Sequence, residues 1–256
     1  KLAAFMVNEE ADKLISLKSD INAMFNSPIL GYNSKEGIVY QFWANRDSHD
    51  VNYFDPKTDY APTTAISSVS WDDSNFPNIE GFGVWAAKCN FTMGPDGKMY
   101  SRMLGGNLVR IDVENARGEN LTNGDLVGTK DGSAYGLVFD PQDENVFYFS
   151  NNDKHCIYKY DLRTKEWACW AGQEGKSGYL DGPIGQAMFN KPGQMCVDSE
   201  GNIILTDTEN HCIRKITMST GYVSTLAGKP QNSGYVNGSA EDAQFKKPLG
   251  ICIDND

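Results

Sequence analysis

The feature that most constrains this chain is an internal repeat with an offset of 56 residues. The matching segments are Gly178-Tyr179-Leu180-Asp181-Gly182 with Gly234-Tyr235-Val236-Asn237-Gly238, Ala187-Met188-Phe189-Asn190-Lys191-Pro192 with Ala243-Gln244-Phe245-Lys246-Lys247-Pro248, His155-Cys156-Ile157 with His211-Cys212-Ile213, and Ala171-Gly172 with Ala227-Gly228. An earlier echo, Ala23-Met24-Phe25-Asn26-Ser27-Pro28, stands about three units before 187–192. A regular repeat of this kind is typical of solenoids and propellers, in which neighbouring units cover each other's apolar faces.

Each unit has the pattern of short antiparallel strands. Between residues 189 and 228, apolar and polar residues alternate over four segments: Gln194–Asp198, Ile203–Thr206, Cys212–Thr217 and Tyr222–Leu226. Alternation with period 2 between glycine-containing turns predicts antiparallel β-structure. Gly201 can supply the positive φ that a tight turn at 199–202 needs. The corresponding turn at 141–145 lacks glycine, so it must differ.

Four strands in a unit of this length predict a β-propeller blade. A single four-stranded sheet cannot bury both of its apolar faces, whereas radial packing covers them and leaves only short edges. We therefore predict an all-β fold with one propeller domain over residues 1–256. We expect six blades, with five or seven as alternatives.

The predicted blades begin near residues 25, 82, 131, 189 and 245. Residues 1–20 are interpreted as the outer strands of a closing blade, at Ala3–Val7 and Leu14–Lys18, with a helix over 12–25 as the alternative. The last unit ends just after its first strand, Ile251-Cys252-Ile253-Asp254. We therefore expect the sequence to be incomplete at its C-terminus.

Composition excludes several classes of function. The formal net charge is −11, which argues against nucleic-acid binding, because phosphate contacts need a basic surface. No segment approaches the roughly 18 consecutive apolar residues of a membrane-spanning helix. The sequence contains no nucleophile elbow, P-loop or HExxH motif.

The segment from Pro192 to Ile216 resembles the NHL repeat. It has a proline, an apolar strand ending in Asp198, a glycine turn, a second strand ending in Asp207, and then Asn210-His211 and Ile213-Arg214-Lys215. The resemblance is strong over 189–228, good over 243–256 and partial over 134–172. Before residue 130 only the rhythm of strands matches.

The linkers between units are similar to those of bacterial NHL proteins of the secreted or periplasmic type, which often carry an upstream IPT/TIG module. The resemblance therefore implies a location in the cell envelope, either in the periplasm or at the cell surface, or secretion from the cell. It is also compatible with a lipid anchor upstream of the residues given.

Histidines and carboxylates at repeat positions are expected to be structural. His155 and His211 are equivalent and are predicted to hold strand entries by hydrogen bonds, whereas Asp198 and Asp207 end strands and are predicted to cap turns. His49, between carboxylates, fits a hairpin loop better than a general base. Propeller lactonases and lyases hold calcium or zinc near the channel, and oxygen ligands would favour calcium. We nevertheless predict no cofactor, no metal ligand and no catalytic residue.

Two groups of residues are candidates for ligand binding. Trp71 and Trp85 flank residues 72–83, which interrupt the repeat, and insertions of this kind often lie on a binding face. The alternative for these tryptophans is packing between blades. The second group recurs in the long inter-unit loops and consists of Tyr179, Asp181, Tyr235 and Asn237. These four residues fit either a binding face or a structural clasp.

The six cysteines do not form a CxxC pair, so a zinc site is not indicated. Equivalent positions in successive repeats should lie far apart, which argues against Cys156–Cys212 and Cys196–Cys252 bridges. A Cys156–Cys169 bridge would need neighbouring strands of one hairpin. The favoured interpretation is small buried apolar side chains.

The sequence therefore favours a non-catalytic ligand- or protein-binding propeller of the bacterial cell envelope. Its partner would be a protein, a peptide or a glycan, and not a nucleic acid. The alternative is a metal-dependent propeller enzyme, either a lactonase-like hydrolase or a lyase.

Overall fold

The structure is a computed structural model. It describes residues 2–7, 14–21, 29–33, 38–44, 49–54, 67–71, 92–102, 108–112, 117–122 and 136–253. The only helical element in these ranges is a single 3₁₀ turn at Thr208–Asn210.

All other regular elements are strands. Their bounds are β1 Leu2–Val7, β2 Leu14–Ile21, β3 Ile29–Asn33, β4 Ile38–Ala44, β5 His49–Phe54, β6 Ser67–Trp71, β7 Thr92–Met93, β8 Met99–Arg102, β9 Leu108–Asp112, β10 Arg117–Asn120, β11 Leu137–Phe139, β12 Val146–Asn151, β13 Cys156–Asp161, β14 Glu166–Gly172, β15 Gly182–Pro183, β16 Pro192–Val197, β17 Ile203–Asp207, β18 Cys212–Thr217 and β19 Tyr222–Ala227.

The strands form four antiparallel meanders. Sheet I contains β3–β6, sheet II contains β7–β10, sheet III contains β11–β14, and sheet IV contains β16–β19, with the short β15 added beside β19. A separate pair joins β1 to β2, so residues 14–21 form a strand and not part of a helix. These sheets confirm an all-β propeller built from four-stranded antiparallel blades. Six blades, and the closing role of residues 1–20, stay predictions.

The strands of sheet IV begin and end close to the predicted positions, and β18 matches them at both ends. In contrast, residues 251–253 do not form the strand expected there. The Gln194 side chain instead accepts a hydrogen bond from the Ile251 backbone N–H at 3.3 Å. No strand among the described residues pairs with 251–253, and a strand without a ladder partner is not stable.

The cores lie between successive sheets. Sheets III and IV share one core, formed by Val138, Val146, Tyr148, Ile157, Ala171, Ala187, Phe189, Met195, Ile203, Leu205, Ile216 and Val223. Sheets II and III share another, formed by Tyr100, Leu108, Leu121, Leu137, Phe147, Phe149, Cys156, Tyr158 and Tyr160. Successive residues of β12 therefore point into different cores, and all six are buried. Each sheet covers its neighbour, as the repeat predicts.

Sheets III and IV contain the same irregularity between their last two strands. Ile157 pairs with Ala171 and the next residue, Tyr158, pairs with Cys169, which leaves Trp170 as the extra residue. One repeat later, Arg214 pairs with Thr225 and Leu226 is the extra residue. A β-bulge of this kind reverses the alternation of side chains beyond it. Cys169 and Thr225 occupy equivalent positions in the two sheets, because each is the first paired residue beyond the bulge.

Cys156, Cys169, Cys196, Cys212 and Cys252 all have free thiols, so the structure contains no bridge among these five. Cys89 lies outside the described residues. In the part of the chain that is described, no helix has the length and apolar character needed to cross a membrane.

Candidate functional site

The largest fully buried side chain of the described region is that of Arg214, on the strand β18 of sheet IV. Its side chain is fully buried because β18 alternates, so that Cys212, Arg214 and Ile216 point inward. Burying a guanidinium costs free energy unless charged and polar groups surround it. The structure supplies those groups from both the sheet and the loop before it.

Two carboxylates bind the Arg214 guanidinium. The buried Asp207 accepts a hydrogen bond from Nη1 at 2.7 Å, and Asp181 accepts one from Nη2 at 2.6 Å. The backbone carbonyls of Leu180 and Met188 accept two more, at 2.9 and 3.1 Å. The guanidinium therefore ties the loop 178–189 to the blade that follows it. We call this arrangement the Arg214 clasp.

Aromatic rings complete the clasp. The Arg214 guanidinium carbon lies 4.8 Å from the ring centre of Tyr179 and 5.1 Å from that of Phe189. The Tyr179 hydroxyl is 2.7 Å from Thr225 Oγ1, and Asp181 accepts the Thr225 N–H at 3.1 Å. Tyr179 and Asp181 thus make contacts inside the protein. They form the structural clasp that was one of the two interpretations of their recurrence. Ligand binding by either residue stays a prediction.

The ionisation of the clasp follows from its burial. Burial raises the pKa of the Asp207 carboxyl, and the charge of Arg214 opposes that effect. Burial also raises the pKa of the Tyr179 phenol. The carboxylate of Asp207 further accepts hydrogen bonds from the Asn190 N–H at 2.7 Å and from the Asn210 amide at 2.8 Å. Asp207 is structural, but it spans distant segments and does not cap its own turn.

The loop 234–245 repeats the backbone of the loop 178–189. Leu180 bridges Met188, and Val236 bridges Gln244 in the same way. The hydrogen bonds at the loop ends are equally alike, with the Gly178 N–H 3.0 Å from the Phe189 carbonyl oxygen and the Gly234 N–H 3.1 Å from that of Phe245. The repeated sequence therefore fixes the shape of this loop twice.

The side chains of the second loop have different surroundings. Tyr235, the equivalent of Tyr179, is 83% exposed and has only the Lys246 ammonium 5.9 Å from its ring centre. Asn237 is exposed as well. Tyr235 and Asn237 are accessible to a ligand in this structure.

The two repeat-equivalent histidines fasten one unit to the next. Each has a positive φ, and each accepts a backbone N–H at Nδ1: His155 from Lys191 at 3.1 Å, and His211 from Lys247 at 3.2 Å. An accepting Nδ1 must be unprotonated. Burial lowers the pKa of His155. The structural interpretation of both histidines is confirmed.

Asp198 caps the turn that follows it, as predicted. Its Oδ1 accepts the N–H groups of Glu200 at 3.1 Å and of Asn202 at 2.7 Å, and Gly201 has a φ of +81°. Hydrogen bonds from Asn202 and the ammonium of Lys215 lower the pKa of Asp198 to about 2, although its partial burial acts in the opposite direction.

The remaining candidates for ligand binding are Trp71 and Trp85. Trp71 is the last residue of β6 and pairs with His49, the first residue of β5. Trp85 lies outside the described residues, as do residues 72–83. Within the described residues, no three side chains of histidine, cysteine, aspartate or glutamate are grouped to hold a metal ion.

Comparison with known proteins identifies the repeat. The family model described as "NHL repeat" matches residues 189–216, which contain most of sheet IV and Arg214. Residues 189–216 are therefore similar to an NHL repeat.

Two curated relatives extend the similarity. "Protein SUPPRESSOR OF QUENCHING 1, chloroplastic" from Arabidopsis thaliana is 25% identical over 252 residues, which are 91% of this chain and 23% of that protein. "NHL repeat-containing protein 2" from Bos taurus is 28% identical over 104 residues, which are 40% of this chain and 14% of that protein. These matches support an NHL-repeat family.

Among solved structures, an "auxiliary nutrient binding protein" from Bacteroides thetaiotaomicron has the same fold, with a TM-score of 0.70 and 20% identity. The similarity covers 99% of this chain and 61% of that one. The chain thus spans less than a quarter of the two curated relatives and about three fifths of this structure.

The sequence analysis did not single out Arg214, the centre of the clasp. Arg214-Lys215 matches the Arg-Lys pair of the NHL pattern and looks like a solvated strand end. The signal that identifies it is alternation, because Cys212 and Ile216 place Arg214 on the buried face.

Proposed function

We propose that this protein is a non-catalytic binding propeller of the bacterial cell envelope that recognises a protein, a peptide or a glycan. The name of the Bacteroides structure, an auxiliary nutrient binding protein, supports a binding role. The envelope location rests on the similarity of the linkers to those of secreted or periplasmic NHL proteins. An upstream IPT/TIG module and a lipid anchor belong to the same proposal. The proposal includes no cofactor.

The observation that carries this proposal is that the buried charged pair and the repeat-equivalent histidines bind other parts of the protein. Arg214 and Asp207 are bound to each other and to the preceding loop. His155 and His211 each hold the backbone of the next unit. Residues of these types would be the first choices for acid–base or metal chemistry, yet their polar groups bind the protein itself. These internal contacts support a role in which the surface of the propeller binds the ligand.

Two surfaces are proposed for ligand contact. The first contains Tyr235 and Asn237 on the exposed loop 234–245, where the flat ring of Tyr235 is free to stack on a sugar or a peptide side chain. The second contains Trp71 and Trp85, at the ends of the segment that interrupts the repeat. These two surfaces can be separated by mutation.

The test is a binding screen of the purified chain against glycan and peptide arrays, followed by titration calorimetry on any ligand found. We expect Tyr235→Ala or Trp71→Ala to weaken that ligand about tenfold or more, because aromatic residues dominate binding surfaces. Tyr222→Ala is the matched control, since Tyr222 is a 46% exposed tyrosine of strand β19, outside the loop 234–245. Equal losses in all three variants would contradict a localised site.

Elemental analysis for calcium and zinc tests the exclusion of a metalloenzyme. We expect no stoichiometric metal, and the same melting temperature with and without EDTA. A bound ion whose removal lowers the melting temperature would overturn the cofactor-free proposal and would require lactone and lyase assays.

A further inference from the structure

We propose that Cys156 and Cys169 form a reversible disulfide in sheet III, with a small-molecule disulfide as the oxidant. Both thiols are free in the structure, which therefore shows the reduced state. This inference does not depend on the proposed ligand-binding function.

The β-bulge brings the two cysteines to one face of the sheet. Cys156 pairs with Gly172, and Cys169 pairs with Tyr158, two residues further along β13. If β14 were regular, with Trp170 paired to Tyr158, alternation would place Cys169 on the opposite face from Cys156. Because the bulge leaves Trp170 unpaired, Cys156 and Cys169 are diagonal neighbours on adjacent strands, a separation within reach of side chains.

The packing of the side chains agrees with that register. Cys156 is a fully buried member of the core between sheets II and III, and Cys169 packs against the same core. Cys169 Sγ lies 3.7 Å from the carbonyl oxygen of Gly172, which is the residue opposite Cys156. Trp170, in contrast, packs against the core on the other side of the sheet.

The two thiols are not chemically equivalent. Cys169 is partly exposed, and a hydrogen bond from the Cys156 thiol lowers its pKa, whereas that same contact and burial raise the pKa of Cys156. The thiolate is the nucleophile in thiol–disulfide exchange. Cys169 is therefore the attacking residue, and Cys156 is the residue that resolves the mixed disulfide.

The proposed reaction balances in two steps. The Cys169 thiolate attacks one sulfur of the small-molecule disulfide, so that a mixed disulfide forms and one small thiolate leaves. The Cys156 sulfur then attacks Cys169 Sγ, releases the second small thiolate and transfers its proton to it. The two cysteines are oxidised by two electrons in total, and the small disulfide is reduced to one thiol and one thiolate, which takes up the proton that Cys169 had released to the solvent.

Peptide mapping tests the proposal on the full chain. The reduced protein is incubated with glutathione disulfide, alkylated in denaturant and digested with trypsin without a reductant. Cleavage at lysine places the two cysteines in separate peptides, 155–159 and 166–176. We expect these two peptides to appear as one cross-linked species, lighter by two hydrogen atoms than the reduced pair, and to separate again when a reductant is added.

Three variants control the experiment. Cys169→Ser should abolish the cross-link, and Cys156→Ser should leave Cys169 as a stable mixed disulfide with glutathione. Cys212→Ser should behave like the parent protein, because Cys212 is the repeat equivalent of Cys156 but has Thr225 where sheet III has Cys169. Circular dichroism checks that each variant is folded.

Peptide mapping of the parent protein alone can overturn the proposal, even if a variant fails to fold. The proposal is wrong if Cys169 accumulates as a mixed disulfide while Cys156 is alkylated. It is equally wrong if both peptides are recovered alkylated after oxidation, or if Cys156 is cross-linked to another cysteine.

Discussion

Sheets III and IV have nearly the same backbone but enclose different chemistry at equivalent positions. In sheet IV, Arg214 is held by carboxylates. In sheet III the position of Arg214 is taken by Tyr158, whose ring stacks on Phe149 at 5.3 Å and whose hydroxyl donates to Glu174 at 2.8 Å. The position of Asp207 is taken by Asn151. The buried centre is therefore ionic in sheet IV and aromatic in sheet III.

The comparison teaches that glycines, histidines and strand alternation set the backbone, whereas the buried centre is free to vary as a group. Arg214 requires the carboxylate of Asp207, since a buried charge without a partner is costly. Tyr158 requires only a partner for its hydroxyl. The residues at these positions should therefore change together and not singly.

The largest expected effect comes from removing the guanidinium. Arg214→Met leaves Asp207 buried beside no cation, so the free energy of unfolding should fall by about 3–5 kcal/mol in urea denaturation. Lys215→Met is the control, because Lys215 makes ion pairs with Asp198 and Glu200 at the surface, where such pairs contribute less than about 1 kcal/mol. Equal effects would show that the clasp does not stabilise sheet IV.

A double variant sharpens the comparison. Asp207→Asn combined with Arg214→Tyr installs the pair found in sheet III and removes the unpaired carboxylate. We expect the double variant to be more stable than Arg214→Tyr alone, by roughly 1–3 kcal/mol. If the second change brought no recovery, the two centres would not be exchangeable.

An intermediate loss of stability is expected from substitution of the repeat-equivalent glycines Gly172 and Gly228. Gly172 has a φ of +93°, and a Cβ there would lie 2.9 Å from the Phe189 ring; at Gly228 the values are +95° and 2.9 Å from Phe245. Gly172→Ala and Gly228→Ala should each lower the free energy of unfolding by about 1–3 kcal/mol.

Gly175→Ala separates the two causes of that effect. Gly175 has a φ of +77° but no atom within 4 Å of an added Cβ, so only the backbone cost of roughly 1 kcal/mol should remain. If all three substitutions cost the same in thermal unfolding, the close contact at Gly172 and Gly228 would play no part.

The smallest expected effect is pH dependence from His155. Its folded pKa is lowered, chiefly by burial and then by Lys191, while Asp153 opposes the shift. A histidine with a folded pKa below its unfolded value stabilises the protein fully above about pH 6.5, and this stabilisation is lost as the pH falls. The pKa values of Asp161 and Asp198 are also lowered, and they act in the same direction at lower pH.

The unfolding free energy should therefore decrease between about pH 7 and pH 5, by less than about 1 kcal/mol. His155→Gln should remove that slope in urea titrations across this range. A slope that persists in the variant would assign it to another group.

Much of the fold could be predicted from the sequence because the repeat constrains it several times over. The strand Cys212–Thr217 and the turn at Gly201 were predicted correctly from local alternation and from the need for a positive φ. The strand expected at 251–254 was not formed over 251–253, because a strand depends on a partner that local sequence does not specify.

The clasp could be predicted only in part. The recurrence of Tyr179 and Asp181 indicated that their loop matters, and a clasp was one of its two interpretations. The partner, Arg214, is 33 residues from Asp181 in the sequence. Its neighbour Lys215 carries the same charge, and only burial distinguishes the two. Alternation along β18 places Arg214 on the buried face, but its pairing with a carboxylate in a distant segment leaves no local pattern.

The hydrogen bonds from Lys191 to His155 and from Lys247 to His211 have an evolutionary consequence. The unit 189–228 brings its own lysine backbone donor, Lys191, at one end and its own histidine acceptor, His211, at the other. A gene duplication or deletion that adds or removes one whole unit therefore recreates the same junction, without any compensating mutation. Such a chain can lengthen or shorten by whole blades while each seam stays intact.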